Sequence, residues 1–485
     1  MADTLIVGGG SAGCVLAARL SADPDHHVRL VEAGPMWPSP ELFPPGLRDG
    51  TELPLGDDAL LWRYAIQLTP GATATTVRGR VIGGSGSVNG CYFVRPPAAD
   101  FAAWSREIGA AGWTYDEVLP ALCRLEHDND FGDRAGHGVN GPVPVRRPAS
   151  ITPLTEEFVA AASAAGFTEI PDLNAPDVDE IGFGRVPANI DRPNGTALRV
   201  GSAQAYLLPA LARPNLTVTA GTRVTRIRFR GTRATGVECL RDGVAEFIAA
   251  DRIVLCAGAI ESAALLLRSG IGDPARLREL GIRVVQPAPV GEWCTDHPEI
   301  GIDYRHAAPH RRTVVLEYVL ELGDIEIRPY TMAFTAGARQ FAIALMRPHG
   351  AGELRLRSND PFEPPLIDQR YLEQRLDRDR LRSAVRLSAE IMRGMSAAPI
   401  GAPIPGTVSD EWLTAHLATS QHLSGTCRMG APSDERAVVD ERCRVHGVDG
   451  LAVADLSVVP VPLGRGPQAA AVLIGEHAAD LLSGD

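Results

Sequence analysis

The run Leu5–Val7 is apolar without interruption, the pattern of a strand buried on both faces of a parallel sheet. Gly8, Gly10 and Gly13 follow with G-x-G-x-x-G spacing and open a predicted helix. A second apolar run, Val28–Val31, ends at the acid Glu32. The three glycines serve different ends. Gly8 allows a tight turn, Gly10 lets backbone approach a pyrophosphate, and Gly13 lets helix pack on strand. Ser11 and Ala12 then sit at the helix start, where unpaired N–H groups hold phosphate. Glu32 is placed to accept hydrogen bonds from an adenosine ribose and to repel a 2′-phosphate. Residues 4–34 therefore predict a dinucleotide site, without separating FAD from NAD.

The pattern changes along the chain. Gly79–Gly90 (GRVIGGSGSVNG) is too rich in glycine and serine for an element interior and predicts a tight ligand-contacting loop. Short helices and proline-rich connectors follow to about residue 197. Residues 215–258 return to alternating strands, and the turn Ala257-Gly258 leads into a helix over Glu261–Arg268. Strands at Asp324–Arg328 and Gly352–Leu356 belong to a separate sheet. A terminal helix over Gln468–Leu482 places Val472, Leu473, Ala479 and Leu482 at helical spacing. No repeat of 20–50 residues is visible.

Composition narrows the chemistry. The chain of 485 residues, 45% hydrophobic and 22% charged, is that of a globular protein with room for two or three domains. It contains no lysine, so every one of its 47 basic residues is arginine and Schiff-base chemistry on lysine is excluded. A net charge of −12 argues against nucleic acid as partner. Eight cysteines are scattered without a C-x-x-C pair, which fits a reducing compartment and signals no metal. Glu126–Asp133 holds several acids without EF-hand spacing and reads as a solvated loop. No apolar run is long enough for a transmembrane helix, and no secretory leader is seen ahead of Asp3. The expected location is cytoplasmic, with peripheral contact at the inner face of the membrane left open.

Five separated segments resemble the glucose–methanol–choline (GMC) oxidoreductases, FAD enzymes that oxidise alcohols. They are Gly79–Pro96, Gly258–Gly272 (with Ala263 where proline or serine is usual), Val290–Pro298 (with Trp293 for asparagine), Gly352–Leu372 and Leu451–Pro460. The resemblance implies an α/β fold: a Rossmann-like FAD-binding domain of discontinuous segments (1–100, 198–298 and 416–485) and a smaller α+β substrate-binding domain (101–197 and 299–415). The implied FAD contacts are Gly8, Gly10, Ser11, Ala12, Gly13, Glu32, Ala33, Arg80, Gly83, Gly84, Ser85, Val88, Asn89, Gly90, Val224, Ala257, Gly258, Asp455, Leu456, Pro467 and Gln468. FAD is expected to be noncovalent, because Val88 stands where some members carry an attaching histidine.

His422, in QHLSGT, aligns with the family's catalytic histidine; a neutral imidazole suits removal of a hydroxyl proton. Gln468 stands where the family has a second histidine or asparagine, and an amide can hydrogen-bond an alcohol but cannot act as a base. The terminal helix N-terminus would favour negative charge on reduced flavin. His297 is expected to shape the junction of the cofactor domain; His26, His27, His446 and His477 are expected to face solvent.

Within the family, NGCYFVRP, IEIRPYTMAF, TSQHLSGT and GRGPQAAAVLIG most resemble the short enzymes associated with mycofactocin, a peptide-derived redox cofactor of actinobacteria. The resemblance implies oxidation of reduced mycofactocin (mycofactocinol), with electrons passed to a quinone or another respiratory-chain acceptor. Two alternatives stand beside it: a dehydrogenase or oxidase of a small or aromatic alcohol, and a non-catalytic flavoprotein acting as redox sensor or binding partner.

Overall fold

The computed structural model describes residues 2–178, 180–192, 196–307, 311–335, 338–400 and 404–483. Its central sheet is parallel, with strands in the order Leu216–Thr219, Val28–Val31, Ala2–Val7, Val244–Leu255 and Leu451–Val453. Leu5 lies opposite Ile253 on one side and Arg29 on the other, so the apolar start of the chain becomes the middle of the sheet. The strand Val244–Leu255 serves two sheets. Its second half is parallel to Ala2–Val7, while its first half closes an antiparallel meander with Thr222–Arg230 and Arg233–Arg241. The helices Ser11–Leu20, Gly258–Arg268 and Gln468–Ser483 pack around this sheet and are almost wholly buried, as their small and branched residues require.

A second, mainly antiparallel sheet runs in the order Ala397–Pro399, Pro298–His306, Ala338–Leu345, Ile325–Thr335, Tyr318–Leu322, Ile181–Arg185 and Glu169–Ile170. Leu417–Thr419 also pairs with Pro298–His306, which carries the chain from this sheet directly to His422. A smaller sheet joins Leu61–Thr69 and Ala72–Gly79 to Leu366–Asp368 and Glu353–Arg355. The α/β expectation holds, with two corrections: the strand expected at Asp324–Arg328 is Ile325–Thr335, and the strand expected with it at Gly352–Leu356 is Glu353–Arg355 and belongs to the smaller sheet, because it pairs with Leu366–Asp368.

Two expectations fail. Glu126 and Asp128 are buried, not solvated. Glu126 lies 2.6 Å from Arg95 and Asp128 2.6 Å from Arg147, while the His137 ring stands 3.1 Å from Glu126 and 2.9 Å from Asp172. The acids were free to enter the interior because three cations enter with them. Of the histidines expected in solvent, only His27 is there. His477 lies 2.8 Å from the Gly112 carbonyl and edge-on to Trp113, His446 lies 3.2 Å from the Gly430 carbonyl, and His26 lies 3.0 Å from the Thr4 hydroxyl.

Candidate active site

One cavity runs from the end of the first strand to the segment that holds His422, and Gly8, Gly10, Glu32, His422 and Gln468 all line it. At the first end the three glycines differ as their spacing implies. Gly8 has φ +103°, and a Cβ there would lie 2.5 Å from the Cys256 carbonyl oxygen. A Cβ on Gly13 would lie 2.0 Å from the Gly8 oxygen. Gly10 is different, because a Cβ there meets nothing closer than 3.7 Å in the protein, yet it would stand at the cavity wall. The absence of a side chain at Gly10 serves what the cavity holds.

Glu32 closes this turn. Its carboxylate accepts from the Gly9 N–H at 2.8 Å and the Gly34 N–H at 2.7 Å, and burial pushes its carboxyl up from the ordinary value. The Gly83 N–H donates to the Gly9 carbonyl at 2.6 Å, which docks the glycine-rich loop onto the fingerprint. Asp455 accepts from the Gly258 N–H and the Ser262 hydroxyl, joining the last parallel strand to the helix Gly258–Arg268.

Of the expected FAD contacts, Gly8, Gly10, Ser11, Ala12, Glu32, Ala33, Gly84, Ser85, Val88, Asn89, Gly90, Val224, Ala257, Gly258, Asp455, Leu456, Pro467 and Gln468 line the cavity. Gly13, Gly83 and Arg80 do not. Gly13 and Gly83 act through backbone packing. The Arg80 guanidinium donates to the Ala59 carbonyl and lies 5.2 Å from the Trp62 ring centre.

At the far end His422 is held from behind. Its N–H donates to Asp296 Oδ1 at 2.7 Å, and its Nδ1 lies 2.8 Å from Nδ1 of His297. The preceding Gln421 has φ +62° and accepts from the Val77 N–H, fixing the turn. The Trp293 ring packs on Gly425, which has φ +81° and leaves no room for a Cβ, so the family departure at Trp293 is matched by a flat surface three residues after His422. Burial holds the His422 imidazole well below its ordinary pKa, helped by His297, Arg328 and Arg78. Burial and then Arg328 likewise bring His297 down to about 3. Both rings are therefore neutral near pH 7.

Gln468 opens the terminal helix. Its Oε1 accepts from the Ser11 hydroxyl at 3.2 Å and from Asn89 Nδ2 at 3.1 Å. Its Nε2 is buried without a protein partner among the described residues, a donor that the cavity's occupant can satisfy. This orphan amide, the open backbone at Gly10 and a cavity continuous between them fit FAD, with Glu32 for ribose and the helix start at Ser11 for pyrophosphate. Asp296, His297, Glu299, Arg328 and Tyr330 also surround the site and were not expected there. The DHP motif held the first two, but nothing in the order of residues shows that it folds behind His422.

Comparison with known proteins agrees along the chain. The family models for GMC oxidoreductase match residues 2–299 with the N-terminal part and 348–475 with the C-terminal part. An uncharacterized GMC-type oxidoreductase from the thcA 5′ region of Rhodococcus erythropolis is 42% identical, covering 100% of this chain and 99% of its own. The mitochondrial choline dehydrogenase of Mus musculus is 35% identical over 99% of this chain and 89% of its own. Among solved structures, pyridoxine 4-oxidase from Mesorbium loti superposes with a TM-score of 0.91 at 31% identity, covering 100% of both chains. With both halves of the family matched and a relative this similar over its full length, the chain belongs to the GMC oxidoreductases and takes FAD as its cofactor.

Proposed function

We propose that the protein is an FAD-dependent alcohol dehydrogenase in which His422 takes the hydroxyl proton. The observation that carries this reading is the His297–His422 pair, whose Nδ1 atoms lie 2.8 Å apart. With both rings neutral, one Nδ1 donates and the other accepts, and the tautomer decides which. We assign the acceptor role to His297. His422 then donates from its own Nδ1, which leaves its Nε2 with a lone pair for the alcohol. Bound FAD supplies the two-electron acceptor for the hydride that leaves the carbinol carbon. Gln468, fixed by Ser11 and Asn89, turns its Nε2–H donor to the cavity, where it can hold the alcohol oxygen but cannot take its proton.

The alcohol we propose is mycofactocinol. The four segments that carry the mycofactocin resemblance lie apart in sequence, yet each contributes to the cavity wall: Asn89 and Tyr92, Arg328 and Tyr330, Thr419 to Leu423, and Gly466 to Gln468. Their aromatic members suit a substrate with an aromatic ring. A quaternary ammonium alcohol such as choline fits less well, because the buried Glu299 carboxylate is already paired with Arg328 at 3.2 Å and accepts from Ser420. Electrons are expected to leave to a quinone or another respiratory acceptor. Arg465, the cation ahead of the terminal helix, is paired with Glu321 at 2.5 Å.

An anaerobic titration tests the substrate. Mycofactocinol should bleach the flavin spectrum in proportion to the amount added, up to one equivalent, while choline does not. Bleaching by choline or small alcohols with no response to mycofactocinol overturns the substrate, and no bleaching by any alcohol overturns the enzyme reading. Stopped-flow reoxidation tests the acceptor: air should restore the oxidised spectrum more slowly than a quinone does.

A further inference from the structure

Arg78 lies on the strand Ala72–Gly79 and lines the same cavity. Arg223 also lines the cavity, but it donates to the Pro361 carbonyl and lies against the Trp62 and Phe362 rings; the remaining arginines nearby are paired with carboxylates, Arg328 with Glu326 and Glu299, Arg465 with Glu321, and Arg268 with Glu261. Arg78 is not. Its Nη1 donates to the Thr76 hydroxyl and to the Val77 carbonyl, each at 2.8 Å and both on its own strand. Its Nε and Nη2 have no acceptor among the described residues. The carboxylate it feels most is Asp296, but Asp296 is engaged elsewhere. The His297 and His422 N–H groups bond to Oδ1, and Gln369 and Thr419 bond to Oδ2.

Arginine does not discharge inside a protein; Arg78 is partly buried, and FAD filling the cavity would cover it further, where a charge without a counter-charge is costly. The missing negative charge is therefore to be sought in the cavity's occupant. FAD offers two candidates, the pyrophosphate and the ring system, whose two-electron-reduced form can carry a negative charge. The pyrophosphate already has the glycine turn and the helix start at Ser11. Arg78 is instead tied to the histidine end, since the neighbouring Val77 N–H bonds to Gln421 and the Arg78 charge is felt at His422.

We propose that Arg78 is the counter-charge for the flavin ring system, favouring the reduced, negatively charged ring over the neutral oxidised one. The role is electrostatic positioning, independent of which alcohol is oxidised. Arg78→Met should leave the affinity for oxidised FAD within about threefold and weaken that for reduced FAD about 10- to 100-fold. For two electrons this is a midpoint potential ~30–60 mV more negative. Sulfite, whose flavin adduct is also anionic, should bind about tenfold more weakly. Neither readout requires turnover. Equal loss of affinity for oxidised and reduced FAD would mark a pyrophosphate contact and overturn the proposal, as would an unchanged potential. Should Arg78→Met retain no FAD, Arg78→Lys decides: a potential within ~15 mV of the parent supports a charge effect, and a drop of ~30 mV or more overturns it.

Discussion

A histidine with an ordinary pKa near 6.5 is partly protonated at neutral pH, and a protonated imidazole cannot accept a proton. His422 avoids this because burial, with His297, Arg328 and Arg78 around it, penalises its charged form. The rate of flavin reduction should then show no ionisation near pH 6.5, and a pH profile of anaerobic reduction that halves at that value would contradict the wiring. Stability follows the same sign. The folded-state values of His422 and His297 lie below the unfolded value, so their contribution is fully present above about pH 6.5 and is lost as pH falls from there toward about 3. His422→Ala should keep FAD bound yet slow reduction by roughly 10²–10⁴-fold, the range for a positioned base. Gln468→Ala removes one hydrogen bond to the alcohol, a loss of ~0.5–1.5 kcal/mol, and should slow reduction far less. Stopped-flow comparison of the two checks the order, and the reverse order would exchange their roles. Its motif pointed to His422, and the structure places that residue on the cavity wall. His297, Asp296 and Arg78 were not readable in that way, because what matters about them is which atoms remain free after folding, and spacing carries no information about that.

At the scale of elements, the opening strand, glycine turn, helix and acid were legible because each obeys a local rule: an apolar run, a φ only glycine tolerates, a helix start. The terminal helix was legible through its periodicity, and the structure gives Gln468–Ser483. Ends were less so. The strand Ile325–Thr335 outruns its expected length because its pairing with Ala338–Leu345 continues past register shifts after Pro329 and Ala333. Two substitutions separate ligand binding from packing in the turn. Glu32→Arg removes the acceptor for the Gly9 and Gly34 N–H groups and for ribose, so the flavin content after gel filtration should fall while the far-ultraviolet circular dichroism stays that of a folded chain. Full flavin occupancy would remove Glu32 from the cofactor site. Gly13→Ala acts differently, since its Cβ would lie 2.0 Å from the Gly8 oxygen. The helix Ser11–Leu20 must shift away from the strand, and the thermal midpoint should drop even for apoprotein, by the ~1–3 kcal/mol typical of overpacking.

The central sheet gathers strands from residues 2, 28, 216, 244 and 451; the return at 215–258 was legible from its alternating strands and glycine turn, whereas the last strand was legible only through resemblance, because no local pattern announces it. The buried ion cluster shows the limit most clearly. Glu126, Asp128 and Asp172 look like surface acids until His137, Arg95 and Arg147 are brought to them from separate stretches of chain. The cluster also reaches the cofactor end of the molecule, since Arg465 donates to the Leu173 carbonyl beside Asp172 and to the Arg95 carbonyl. Burial opposes charge on His137, but Asp128, Asp172 and Glu126 outweigh it and push the ring up to about 10. Its folded-state value thus lies above the unfolded one, so its contribution is complete below about pH 6.5 and is lost as pH rises through about 10. His137→Ala leaves three acids facing two arginines and should cost ~3–5 kcal/mol, the usual result of removing one partner from a buried ionic group. Denaturant midpoints of wild type and variant should differ most below pH 7 and converge between pH 8 and 10. A gap that stays constant across that range would mean that His137 acts there by its shape and not by its charge.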